Sequence, residues 1–209
     1  MHDHYFLEDT MNRFFSKATQ FIFACSILIS SSVFGGDASL GVGISATEQG
    51  GTIYLPIRMQ NLMIEPMFSY SSGDTKNKSE YDYVSQNDYS EYTLGLGVYL
   101  VKGIFSNTDL LVGLRGAYIN TEQESRTDLL STYYFQGSRT EADGFLIAPT
   151  IGVEYRFNDH VSAGIYTALE YVKLSGDSIS FDAENGENHF DYERRIKSTA
   201  TDLYVKYYF

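Results

Sequence analysis

Three regularities of the sequence predict an all-β fold, an eight-stranded antiparallel up-and-down transmembrane β-barrel: apolar and polar side chains alternate strictly in eight stretches, helical spacing hardly appears, and the links between stretches are by turns short and long. Composition agrees. The 209 residues include 18 Tyr, 14 Phe, 18 Gly and only 3 Pro, and aromatic side chains suit a pleated surface. Lys and Arg number 15 against 27 Asp and Glu, for a net charge of -12. That balance excludes nucleic acid as a natural partner and any polybasic grip on anionic lipid.

The N-terminal region reads as a leader. From Met11 the chain continues through Asn12, Arg13 and Lys17 into "ATQFIFACSILISSSVF" and the small residues Gly35 and Gly36. A basic start, an apolar middle and a small-residue cleavage zone form a signal peptide. Residues 1–36 are therefore expected to be removed near Gly36, with translation starting at Met11, because "MHDHYFLEDT" is too acidic for a signal-peptide start. Gln20 and several Ser make residues 18–34 a poor membrane-spanning helix. Cys25, the single cysteine, lies inside the leader. Residues 37–209 thus form no disulfide and no thiolate metal cluster.

Alternation begins at "SLGVGISA", with Leu40, Val42, Ile44 and Ala46 on one side, and turns at "EQGG". "TIYLPIRM" then places Ile53, Leu55, Ile57 and Met59 opposite Tyr54, Pro56 and Arg58. After a reversal near Asn61, "MIEPMFSY" sets Ile64, Pro66, Phe68 and Tyr70 against Glu65, Met67 and Ser69. The fourth stretch, "YTLGLGVYL", and the fifth, "LLVGLRGAYI", put Arg115, Tyr99 and several Gly on the polar side. In the sixth, Phe145, Ile147, Pro149, Ile151, Val153, Tyr155 and Phe157 oppose Thr150, Gly152, Glu154 and Arg156. The seventh sets Val161, Ala163, Ile165, Leu169 and Tyr171 against Ser162, Gly164, Tyr166 and Glu170. The eighth, "TDLYVKYYF", ends the sequence in mid-alternation.

Three long polar segments follow the third, fifth and seventh stretches, and in a meander they all leave from the same end. They are expected to be loops. The polar stripe contains Arg58, Arg115, Arg156 and Lys206 together with Glu65, Glu154, Glu170 and Asp202. Such a balanced set fits a narrow shared interior, where an unpaired charge is costly, and interspersed Gly leave room for the long side chains. A charge-plugged lumen is expected, with the apolar stripe toward lipid. Tyr and Phe gather near strand ends, as amphipathic rings do at a lipid boundary.

Leader, strand count, one-sided long links and the terminal "YVKYYF" together resemble the small eight-stranded outer-membrane barrels of Gram-negative bacteria, the OmpA/OmpX-like group. The resemblance spans 37–209. It implies an integral outer-membrane location with long loops extracellular, and contact with outer-membrane lipid and lipopolysaccharide. It also implies that Leu203, Val205, Tyr207 and Phe209 act as the signal read by the barrel-assembly machinery; a periplasmic domain of the OmpA kind is not expected, since the sequence shows nothing after Phe209.

Candidate chemistry is sparse. His189 stands among the acids of "DAENGENHFDYE" without calcium-loop spacing, so no metal or other cofactor is assigned. A Ser–His pair through His189 and Ser178, Ser180 or Ser198 would suit a lipid A-modifying enzyme, but no motif fixes it. No catalytic residue is assigned and the protein reads as a non-enzyme. Function falls to the Tyr-rich acidic loops, as envelope integrity or contact with an extracellular protein or glycan. A small-solute channel remains a further alternative.

Overall fold

Where one stripe of a chain is apolar and the other holds paired charges, a closed sheet satisfies both stripes and every backbone group at once. The structure, a computed structural model, describes residues 38–47, 50–78, 83–129, 134–182 and 186–209. The expected leader over 1–36 lies outside the described residues. The strands are β1 (Ser39–Thr47), β2 (Gly50–Tyr54), β3 (Ile57–Met59), β4 (Leu62–Lys78), β5 (Tyr83–Phe105), β6 (Thr108–Leu129), β7 (Tyr134–Arg156), β8 (Val161–Asp182) and β9 (Gly186–Tyr208).

All neighbours are antiparallel, and β1 closes the ring on β9 through Gly41↔Tyr208 to Ser45↔Tyr204. The nine strands occupy eight positions, because β2 and β3 both lie between β1 and β4. Pro56, which has no N–H to give a ladder, separates them. Backbone bonds from Gly41 N to Pro56 O (2.8 Å) and from Leu55 N to Pro66 O (2.9 Å) carry the wall across the break.

Stepping between paired residues from Tyr204 through Ser45, Thr52, Ser69, Thr93, Ile119, Gly144 and Leu174 returns to β9 at Arg194, ten residues from the start. Such a shear in eight staves requires a strand tilt of roughly 40° and an interior wide enough only for side chains.

The three long polar segments are not loops over most of their length. β4 through β9 continue past the aromatic rim as paired strands of 17 to 23 residues, and Asn120 to Gly144 lies in the β6–β7 ladder apart from its undescribed tip. Beyond a buried cluster at their base that includes Ala142 and Leu174, these extensions are mostly polar on both faces, so they carry little apolar alternation and read as loop, while cross-strand pairing extends them as sheet. The β1–β2 hairpin stops at Gly50, paired with Ser71. Above that level six strands form an open wall, and among the described residues its edges, 72–78 of β4 and 186–203 of β9, pair on one side only. Gly186, at φ +77°, starts β9 in the left-handed region that glycine tolerates.

Candidate functional site

The barrel interior is built from side chains that alternation turns inward, and it falls into layers. Glu154 of β7 is 0% exposed and accepts from four donors: Arg58 Nη1 (3.0 Å) and Tyr208 OH (3.1 Å) at Oε1, Tyr204 OH (3.2 Å) and Lys206 Nζ (3.3 Å) at Oε2. Lys206 Nζ also meets Glu65 Oε2 at 2.5 Å and donates to Tyr166 OH at 2.7 Å. Toward the short-turn end, Arg58 Nη2 donates to Asp109 Oδ2 at 2.6 Å, and Arg156 Nε lies 3.2 Å from the same oxygen. Charges of opposite sign therefore follow one another from Glu65 to Arg156, the arrangement that makes buried charge tolerable.

A tyrosine layer covers this chain of charges. Tyr99, Tyr166 and Tyr204 stack with centroids 5.2 and 4.4 Å apart. Arg115 lies over Tyr166 at 4.3 Å and Lys206 over Tyr204 at 4.3 Å, so ring faces supply attraction to cations where carboxylates run out. Arg115 also donates to Tyr99 OH (2.6 Å) and to Asp202 Oδ2 (2.9 Å). Glycines make this layer possible: a Cβ at Gly97 would stand 2.6 Å from the Tyr99 ring, and one at Gly152 2.5 Å from Tyr166. Above the tyrosines the inner face becomes apolar, with Ile119, Ala142, Leu146, Ala148, Ala168, Val172 and Leu174 buried together and Tyr192 and Ile196 packed against them.

The sequence-derived residues divide accordingly. Arg58, Glu65, Glu154, Arg156 and Lys206 are brought together, and Arg115 joins Asp202 one layer higher. Glu170 stands apart near the rim, where it accepts from Ser198 Oγ at 3.2 Å. Asp109, 3% exposed, hydrogen-bonded by Arg58 and ion-paired with Arg156, belongs to the network but was hidden in a segment that reads as a short link. Its parity with Leu111, Gly113 and Arg115 is the signal that marks it as inward-facing.

The outer face carries the apolar stripe: Ile44 is 61% exposed, Leu100 67%, Leu169 64% and Leu203 72%. Rings border it, with Tyr70, Tyr118 and Phe145 toward the wall and Tyr155, Phe157, Tyr207 and Phe209 toward the short turns. At the latter end the terminal strand is tied down by Phe209 N bonding Leu40 O (2.9 Å) and Tyr208 N bonding His160 O (2.7 Å).

On the wall, Glu122 meets Arg139 at 2.7 Å; burial pushes its carboxyl upward and the arginine pulls it back in part. The candidate Ser–His pair does not assemble. Ile179 pairs with His189, whereas Ser178 pairs with Phe190 and Ser180 with Asn188, which sets the imidazole on the outer face and the serines on the inner one. Ser178 Oγ instead contacts Thr140 Oγ1 at 3.0 Å, and His189 lies 3.9 Å from Glu187.

No family model matches the sequence, and no curated protein sequence is similar to it. Among solved structures, a major outer membrane protein from Thermus thermophilus superposes with a TM-score of 0.53 at 10% identity, covering 83% of this chain and 100% of that one. Acinetobacter baumannii CarO2 aligns at a TM-score of 0.42 and 13% identity over 82% of this chain and 98% of its own. CarO from the same organism gives 0.34 and 10% over 82% and 95%. The chain thus has the fold of a transmembrane, outer-membrane-type β-barrel.

Proposed function

We propose that the protein is a non-catalytic integral outer-membrane barrel of the OmpA/OmpX-like kind, closed inside by its charge network and working through the strand wall above its rim. The observation that carries this reading is the division of labour along the axis. Below the rim, polar side chains pair with one another around Glu154, and above it six strands continue with two open edges. An open edge presents backbone donors and acceptors to an added strand. The wall then faces the cell exterior and meets a protein or glycan, or supports envelope integrity. In the same reading the outward positions Leu203, Val205, Tyr207 and Phe209 address the barrel-assembly machinery, and the outer face meets lipid and lipopolysaccharide.

The test is to shorten the three tall hairpins to the level of Tyr70–Tyr92, Tyr118–Phe145 and Tyr171–Lys197, register partners at the rim. The barrel is expected to remain in the membrane while surface adhesion or resistance to bile salts falls. If both properties stay at their original level, the wall is not the working part. A solute channel is tested separately: the closed interior predicts no large stable conductance in planar bilayers.

A further inference from the structure

Cations are scarce on this acidic chain, yet three of them gather on one patch of the outer face. Lys173 of β8 and Arg195 of β9 are register partners, and Lys197 is the partner of Tyr171 one row below. All three have the parity of Tyr171 and Leu203 and so point outward. Glu193 meets Arg195 at 2.7 Å and Lys173 at 3.8 Å. The rows through Lys173–Arg195 and Tyr171–Lys197 thus hold three cations and no acid, while carboxylates begin on the row above, where Ser175 pairs with both Asp143 and Glu193, and continue on the next with Glu141, Asp177 and Asp191.

Directly below, the wall is grooved. The β7–β8 ladder runs to Ile147↔Tyr171 and resumes only at Thr150↔Ala168, because Pro149 has no N–H to donate. At this interruption an open groove of about 630 Å³ lies between Ile147, Pro149, Leu169, Tyr171 and Thr199, with Lys197 at its upper side. Its floor is apolar and open to the outside, Leu169 being 64% and Ile147 45% exposed. Glu170 also borders the groove, but its carboxylate is engaged by Ser198.

We propose that this groove and the cations above it bind one molecule of a phosphorylated, polyacylated glycolipid of the lipid A type, with phosphate on Lys173, Arg195 and Lys197 and an acyl chain in the groove. Phosphate complements the cations and an acyl chain complements the apolar floor. Lys173 and Arg195 face each other across the β8–β9 ladder and Lys197 stands about 7 Å below Arg195 on the same strand, so the cations offer phosphate two levels of positive charge. The inference rests on the reading that the strand wall faces the cell exterior, the leaflet where such a lipid resides.

The test extracts the protein from outer membranes in mild detergent and counts retained lipid by native mass spectrometry. The wild type is expected to hold one diphosphorylated lipid A per barrel. The K173Q/R195Q/K197Q variant is expected to hold roughly tenfold less, and K102Q, at the opposite end of the barrel, as much as the wild type. Added diphosphorylated lipid A displaces the bound lipid, whereas dephosphorylated lipid A, phosphatidylglycerol and inorganic phosphate do so weakly. Undiminished retention by the triple variant, or equal competition by any of those three, overturns the site. In the same cells, labelling of D177C by a membrane-impermeant maleimide reports orientation. Labelling without retained lipid sinks the site alone; absence of labelling sinks the reading beneath it as well.

Discussion

Replacing Lys206 by Met tests the interior most sharply. Lys206 has a relative side-chain exposure of 0% and stands between Glu65 (2.5 Å) and Glu154 (3.3 Å), themselves 1% and 0% exposed. Met fills a similar volume beside Met63, whose sulfur is already 3.8 Å from the ammonium, so little cavity is created. What changes is the charge. Glu154 keeps Arg58, but Glu65 is left with Tyr166 OH at 3.2 Å as its remaining donor. Breaking a buried pair from one side costs about 3–5 kcal/mol, and we expect a loss in that range. The double variant K206M/E65L removes both ends of the closest contact and restores neutrality. It should recover about 2 kcal/mol relative to K206M, since well-packed apolar replacements of a buried pair are often near neutral. Urea unfolding in lipid vesicles, followed by far-ultraviolet circular dichroism and the heat-modifiable gel shift, measures both. Loss of less than about 0.5 kcal/mol in K206M, or a double variant weaker than the single one, would refute the claim that paired charge holds the interior.

Three further outcomes follow from the same geometry. Gly97 lies under the Tyr99 ring, with 2.6 Å available to a Cβ, so G97V should destabilise the barrel by about 1–3 kcal/mol in the same urea assay. Glu91 lies one residue beyond Tyr92 on the wall, and burial, followed by the charge of Glu170, raises its carboxyl above the usual range. A raised folded-state value means that folding takes up a proton: the stabilisation is complete below the unfolded value near pH 4 and is lost as pH rises through the folded one. E91Q should therefore be more stable than the wild type at pH 7, with the gap closing toward pH 4. Deleting Phe209 should lower the amount of folded barrel in cells several-fold while leaving refolding in detergent intact, as read by gel shift in the two settings.

The membrane-spanning half of this fold was legible because lipid outside and charge inside impose a period of two that nothing else in the chain imitates. The sides assigned to Ile44, Leu203, Arg115 and Glu154 are the ones they occupy, and Glu65, Glu154 and Lys206 meet because alternation and closure leave them one narrow space. The wall above the rim was not legible. Residues such as Thr75, Asn87 and Gln123 are polar on both faces, so alternation vanishes although the hydrogen-bonded ladder continues. Asp109 was missed because Ser106 and Asn107 make the neighbouring sequence look like a turn, and the turn is shorter than its composition suggests. The tyrosine layer escaped as well. Nothing in the spacing of Tyr99, Tyr166 and Tyr204 tells that rings from separate strands will stack beneath Arg115 and above Lys206.

A barrel crossing the outer membrane with its strand wall outside and its short turns inside has a sidedness that cysteine accessibility reads out. The sole cysteine of the chain is Cys25, so residues 38–209 contain none of their own. Single cysteines replace Asp177 on the wall and Asp159 in the turn between β7 and β8, and intact cells are treated with a membrane-impermeant maleimide. D177C is expected to be labelled at once and D159C only after the outer membrane is permeabilised. Labelling of D159C in intact cells with D177C protected would contradict that sidedness.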